Sequence, residues 1–228
     1  MQLITVAGPP SSGKTSVLLK IIEALRRDAV KVGVVKFDCL SSKDQDLYQQ
    51  KNVVAKIGLS GNLCPDHFFV SNIQDCLEWA KRSHFDILVS ESAGLCNRCS
   101  PHIRGALAIC VVDNLSGVHT PQKIGPMLKL ADIVIITKGD IVSQAEREVF
   151  AFRVRQANPR GVIVHVNGIT GQGALEVSQL FKAAGDFDSL DGCHLRFSMP
   201  AATCSYCLGQ TRIGENFQMG NVKKMDLT

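Results

Sequence analysis

Aromatic residues are scarce: 6% of the 228 residues, with one tryptophan, Trp79, and two tyrosines. A nucleic-acid stacking platform needs rings along a groove, and an aromatic-anchored protein surface needs Tyr and Trp anchors. This composition supports neither. Long hydrophobic runs are missing too. The longest apolar stretch, residues 106–112, falls far short of the ~20 residues that a membrane-spanning helix needs. The start, Met-Gln-Leu-Ile-Thr-Val-Ala-Gly, has no basic flank and no long apolar region, so a secretory signal is not expected. The expected location is the cytoplasm. No polybasic arm is present, since lysines and arginines form no run of five. Neither nucleic acid nor membrane is therefore an expected partner. The net charge of +4 suits a phosphate-bearing ligand.

Cysteine is plentiful, at nine residues. In a reducing compartment an odd number is not read as a disulfide framework. Cys96 with Cys99, and Cys204 with Cys207, have the Cys-x-x-Cys spacing of metal or redox pairs.

Short β-branched runs alternate with helical stretches. Strands are expected at 2–7, 31–37, 54–59, 85–90, 106–113, 132–137 and 161–166, and helices at 15–27, 72–82, 121–130, 143–157 and 173–184. The strands are continuous apolar runs, as in strands covered on both faces. The pattern predicts an α/β fold with a mostly parallel sheet and helices on both faces. Residues 1–184 form the expected domain, and 185–228 a small, irregular, cysteine-containing appendage.

The strongest motif is Gly8-Pro-Pro-Ser11-Ser12-Gly13-Lys14-Thr15, between a predicted strand and a predicted helix. It matches the P-loop pattern, whose backbone N–H groups and helix N-terminus cradle phosphates. Ser16 follows in the first helical turn. Lys14 is the expected ligand of the β- and γ-phosphates, and the Thr15 hydroxyl suits Mg²⁺. The expected nucleotide is GTP or GDP. Thr137-Lys138-Gly139-Asp140 ends a later strand, where a carboxylate accepts both N1–H and N2–H of guanine. A site built for that donor pair rejects adenine. Lys138 would lie along the base, and the loop beginning at Asn167 would close over it. Asp38 and Glu91 end two strands beside the expected γ-phosphate. Asp38 would orient water or complete the Mg²⁺ shell, Glu91 would hold Mg²⁺ through a water, and the Gly94 N–H would sense the γ-phosphate.

In this order the P-loop, Asp38, Glu91-Ser-Ala-Gly94 and Thr137-Lys-x-Asp140 resemble the nickel-insertion GTPases, the hydrogenase maturation and urease accessory GTPases of the SIMIBI class. The likeness covers roughly residues 1–184. Cys64-Pro-Asp-His67 is similar to the Cys-Pro-His metal motif of the urease accessory protein, with an Asp inserted. The resemblance implies a slow GTPase that dimerises on GTP. It also implies that a transition metal, nickel or zinc, is bound through Cys64 and His67 at the dimer interface and passed to a target metalloenzyme or its accessory proteins.

Cys96 and Cys99 follow the Glu91 turn at once, with His102 as a third possible ligand; Cys204 and Cys207 supply a second pair, with Cys193-His194 nearby. Two such pairs also suit an iron–sulphur cluster, which would make the protein a nucleotide-dependent cluster carrier or electron donor. A third reading is a regulatory GTPase with structural zinc in its tail. Cys39, Cys76 and Cys110 read as small buried hydrophobes.

Overall fold

The computed structural model describes residues 1–42, 44–197, 209–218 and 220–227. Seven parallel strands form one sheet: β1 (Gln2–Ala7), β2 (Val32–Asp38), β3 (Val54–Leu59), β4 (Ile87–Ser92), β5 (Leu107–Asp113), β6 (Ile133–Thr137) and β7 (Val162–His165). Their order is β3-β2-β4-β1-β5-β6-β7. Chain order reverses beside β1, so a crevice opens at its carboxyl end, where open α/β sheets bind ligands.

Alternate residues of each strand serve opposite faces. Ile4, Val34 and Val89 pack beneath α1 (Lys14–Arg27) and α7 (Ala174–Lys182), which contribute Leu18, Ile21, Val177 and Phe181. Leu3, Val35 and Leu88 face the other way, onto α3 (Pro65–Arg82). The tail joins that second layer: Phe187, Leu190, Leu195 and Ile213 are buried in the same cluster. Arg196 pins the tail at the amino ends of β5 and β6. It forks onto both oxygens of Asp132 at 2.7 Å and donates to the carbonyls of Ile103, Leu130 and Ala106.

Three elements depart from the sequence expectation. The helix expected at 72–82 begins at Pro65, because an extended Cys64 caps it and proline fits its first turn. The loop between β2 and β3 contains α2 (Asp44–Gln50), held by the fully buried Tyr48. The helix expected at 121–130 splits into α4 (Thr120–Lys123) and α5 (Pro126–Lys129). Gly125 separates them with φ +67°, and a Cβ there would stand 2.4 Å from the Asn97 carbonyl oxygen. The helix gives way to a backbone contact with the cysteine loop. α6 (Gln144–Ala157) lies near its expected place, capped by Ser143 and Glu146.

Candidate functional site

The loop from β1 to α1 curls around the Lys14 ammonium, which donates to the carbonyls of Gly8 and Pro9, both at 2.9 Å. Burial lowers the pKa of Lys14. Gly13, with φ +90°, starts the helix. Ser11 and Ser16 are exposed, while Ser12 is buried. A cleft of 510 Å³ opens here, lined among others by Lys14, Thr15, Lys36, Asp38, Asp44 and Glu91.

One wall of the cleft is a buried charge cluster. The Thr15 hydroxyl donates to Glu91 Oε1 at 2.7 Å. The Tyr48 hydroxyl donates to Glu91 Oε2 at 2.6 Å. Lys36, from the middle of β2, donates to Glu91 Oε1 at 2.9 Å and to Thr15 Oγ1 at 3.3 Å, and it pairs with Asp44 of α2. Burial pulls the Lys36 pKa down, but the carboxylates of Glu91 and Asp44 prevail and hold it raised. The Tyr48 phenol is pushed well up by burial and then by Glu91. Asp38 lines the cleft but stands outside this cluster; its Oδ1 accepts the Cys39 N–H at 2.9 Å.

On the opposite side the Thr137 hydroxyl donates to the Ser12 carbonyl at 2.7 Å, and Lys138 Nζ donates to the Ser11 carbonyl at 2.8 Å. The Thr-Lys-x-Asp turn is thereby sewn to the phosphate loop. Asp140 is exposed and lines a smaller hollow with Gly139, Arg147 and Asn167. Asn167 Oδ1 accepts the N–H groups of Ile169 and Thr170, at 2.8 and 2.9 Å, and so shapes its own loop.

Just past β4, Gly94 has φ +71°, and a Cβ there would lie 1.7 Å from the Gly8 carbonyl oxygen and 3.5 Å from Lys14 Nζ. Two residues on is Cys96, whose Sγ is 3.5 Å from Cys99 Sγ. The third group to converge is Asp66, at the start of α3: one donor atom each from Asp66, Cys96 and Cys99 lie within 4.8 Å of one another. Burial raises Asp66 to about 6, against a hydrogen bond from Cys99. The Cys99 thiol is pushed far up by burial and by Asp66. Cys64 is the N-cap residue of the same helix.

Two of the histidines singled out in the sequence, His67 and His102, bond to backbone carbonyls. His67 donates from Nε2 to the Asn221 carbonyl at 3.1 Å. The Asp between Pro65 and His67 places the carboxylate, not the imidazole, toward the thiols. His102 is fully buried; Nε2–H donates to the Met127 carbonyl at 3.0 Å, and Nδ1 accepts from the Thr5 hydroxyl at 3.0 Å. Burial lowers its pKa to about 4, so it is neutral and has no lone pair to spare. Cys204 and Cys207 lie outside the described residues.

A family model for the CobW/HypB/UreG nucleotide-binding domain matches residues 2–165. The chain belongs to the CobW/HypB/UreG family. An uncharacterised protein of Methanocaldococcus jannaschii is 45% identical over 226 residues, 99% of this chain and 97% of that one. The hydrogenase maturation factor HypB of Archaeoglobus fulgidus superposes with a TM-score of 0.62 at 21% identity, covering 80% of this chain and 89% of its own. HypB of Helicobacter pylori, solved in complex with nickel, gives 0.64 at 21% identity, covering 83% and 91%. At such identities the structural likeness is one of fold.

Within this CobW/HypB/UreG domain the phosphate loop, the charge cluster and the cysteine pair all fall inside the matched stretch, whereas Asn167 and the tail lie beyond it. Four residues escaped the sequence reading: Lys36, Asp44, Tyr48 and Asp66. Lys36 carried a usable signal, being a charge in the middle of the apolar run Val34-Val35-Lys36-Phe37. A buried charge in a central strand requires a partner. Among the described residues, no helix is long and apolar enough to cross a membrane.

Proposed function

We propose that this CobW/HypB/UreG member binds GTP, hydrolyses it slowly, and uses nucleotide state to govern a transition metal at its cysteine loop. The metal, nickel or zinc, would pass to a target metalloenzyme or its accessory proteins, with GTP drawing two protomers together. One observation carries the reading: the Gly94 backbone abuts the Gly8 carbonyl of the phosphate loop, and Cys96 follows two residues later. A nucleotide that displaces Lys14 and tightens the loop therefore acts directly on the strand end bearing the thiols. The hydrogenase maturation role of one HypB and the nickel bound to another support the metal-handling part.

Thr15 and Glu91 offer oxygen donors of the kind Mg²⁺ prefers and would hold the ion, which supplies charge neutralisation between the β- and γ-phosphates. Lys36 must then withdraw, because its ammonium stands 3.3 Å from the same Thr15 oxygen. Asp38, on the cleft wall, is the water-orienting candidate. Intrinsic hydrolysis is slow when a switch GTPase awaits a partner's catalytic group.

Base selection tests the nucleotide assignment. Asp140→Asn should lower GTP affinity by at least about a hundredfold, because the carboxylate that accepts two guanine N–H groups is lost. The same variant should gain affinity for XTP, whose carbonyl pairs with the new amide. Competition between fluorescent GTP and XTP reads both changes, and unaltered GTP preference would remove Asp140 from the base site.

A further inference from the structure

We propose that Lys36 is a second phosphate-binding lysine, whose ammonium replaces the divalent ion beside the nucleotide phosphates and lets the cleft hold nucleotide without Mg²⁺. The inference rests on the nucleotide reading above and adds a residue to it. Lys36 is the only charged residue between Val32 and Phe37. The three N–H groups of its ammonium have three acceptors: Glu91 Oε1 at 2.9 Å, Thr15 Oγ1 at 3.3 Å and Asp44 Oδ2. These acceptors come from three elements, β4, α1 and α2. Two carboxylates and a hydroxyl around one positive centre are the all-oxygen donor set that a hard divalent cation takes.

Position makes the same point. A P-loop hydroxyl holds Mg²⁺ against the β- and γ-phosphates. An ammonium bonded to that hydroxyl is placed for the same phosphates, and Lys14 and Lys36 line one cleft. Three carboxylates, Asp38, Asp44 and Glu91, line it too. Facing a polyphosphate alone, they would repel it, and Lys36 offsets the two that it touches. The Lys36 side chain is 6% exposed and Glu91 is 0% exposed, so water screens this charge little. Packing alone gives no reason for a lysine here, because an apolar replacement of a whole buried ion pair is often neutral or stabilising. Glu91 already has two other donors, the hydroxyls of Thr15 and Tyr48. The ammonium is held by fixed acceptors before any nucleotide arrives, and a charge placed in advance needs little reorganisation to act. Mg²⁺ and Lys36 exclude each other, since both need the Thr15 and Glu91 oxygens. The cleft thus has two ways to neutralise phosphate, one with the ion and one with the lysine.

The test uses the full chain and a non-hydrolysable GTP analogue. Calorimetry reads the affinity in Mg²⁺, and again with a chelator in a tetramethylammonium buffer, which leaves no small metal ion to substitute. The wild type should bind in the two buffers with affinities within about tenfold of each other, a difference of no more than about 1.4 kcal/mol. In chelator, Lys36→Met should bind at least about thirtyfold more weakly than the wild type, the lower end of what losing one partner of a buried charge pair costs. In Mg²⁺ the same variant should match or exceed the wild type, because the ion has no ammonium to expel. A merely structural role for Lys36 predicts equal weakening in both buffers, and that result would overturn the proposal. If Lys36→Met does not fold, the wild type alone decides. A loss on chelation greater than about tenfold would overturn the role of Lys36 while leaving Mg²⁺-dependent GTP binding intact. A wild type that binds the analogue in neither buffer would remove the nucleotide reading itself, and this role with it.

Discussion

Gly94→Ala should abolish high-affinity GTP binding. The added methyl would sit 1.7 Å from the Gly8 carbonyl oxygen, and that oxygen belongs to the backbone of the phosphate loop. No side-chain rotation relieves such an overlap. The φ of +71° adds a conformational penalty of roughly 1–2 kcal/mol for any L side chain. Either the phosphate loop opens or the segment after β4 swings away, and both outcomes spoil the cradle of N–H groups that phosphates need. Calorimetric titration with a non-hydrolysable GTP analogue should show at least about a hundredfold weaker binding, the loss expected when a preorganised site is displaced by about 1 Å. The fold itself should survive, because Gly94 lies beyond β4 and outside the sheet ladder. Wild-type affinity in a folded Gly94→Ala protein would disprove the contact between phosphate loop and cysteine loop, and with it the proposed coupling.

Lys36→Met should be among the most destabilising single changes in the sheet. Glu91 is 0% exposed and Lys36 is 6% exposed, so the pair is screened little by water. Removing one partner of a buried ion pair costs about 3–5 kcal/mol, because the remaining charge is stranded. Tyr48 and Thr15 would still donate to Glu91, but its ion-pair partner would be gone. Urea denaturation measures the loss. Combining Lys36→Met with Glu91→Gln should recover much of it, since the two sites interact directly and their effects are not additive. Mg²⁺ should also recover part of the stability of the single variant, by occupying the oxygens that Lys36 vacates. A single variant within about 1 kcal/mol of wild type would mean that the cluster is no such network.

The sheet was legible because parallel strands covered on both faces leave unbroken apolar runs, and each expected strand overlaps an observed one. Helix boundaries were less legible. The helix expected from residue 72 starts at Pro65, since proline at a first turn begins a helix as readily as it ends one. Residues 121–130 have helical periodicity, but a contact with Asn97, distant in sequence, makes Gly125 a kink. α2 is seven residues long with one buried anchor, too little pattern to stand out from a loop. At the site, Lys14, Thr15 and Glu91 were visible through motif spacing, and the structure gathers them into one cleft. Asp66 was visible only as an interruption between Cys64, Pro65 and His67. Its importance emerges when α3 turns that position toward Cys99, and no local rule of spacing encodes a meeting across thirty-odd residues.

His102 offers a timepiece for that region. Its ring proton on Nε2 is shut away from water and committed to the Met127 carbonyl. Such a proton exchanges with solvent only when its surroundings part. His102 lies three residues beyond Cys99, and Met127 lies two beyond Gly125, the contact that steadies the cysteine loop. The exchange lifetime of this imidazole resonance would therefore record how often the wall behind the thiols breathes, and whether nucleotide slows or quickens it.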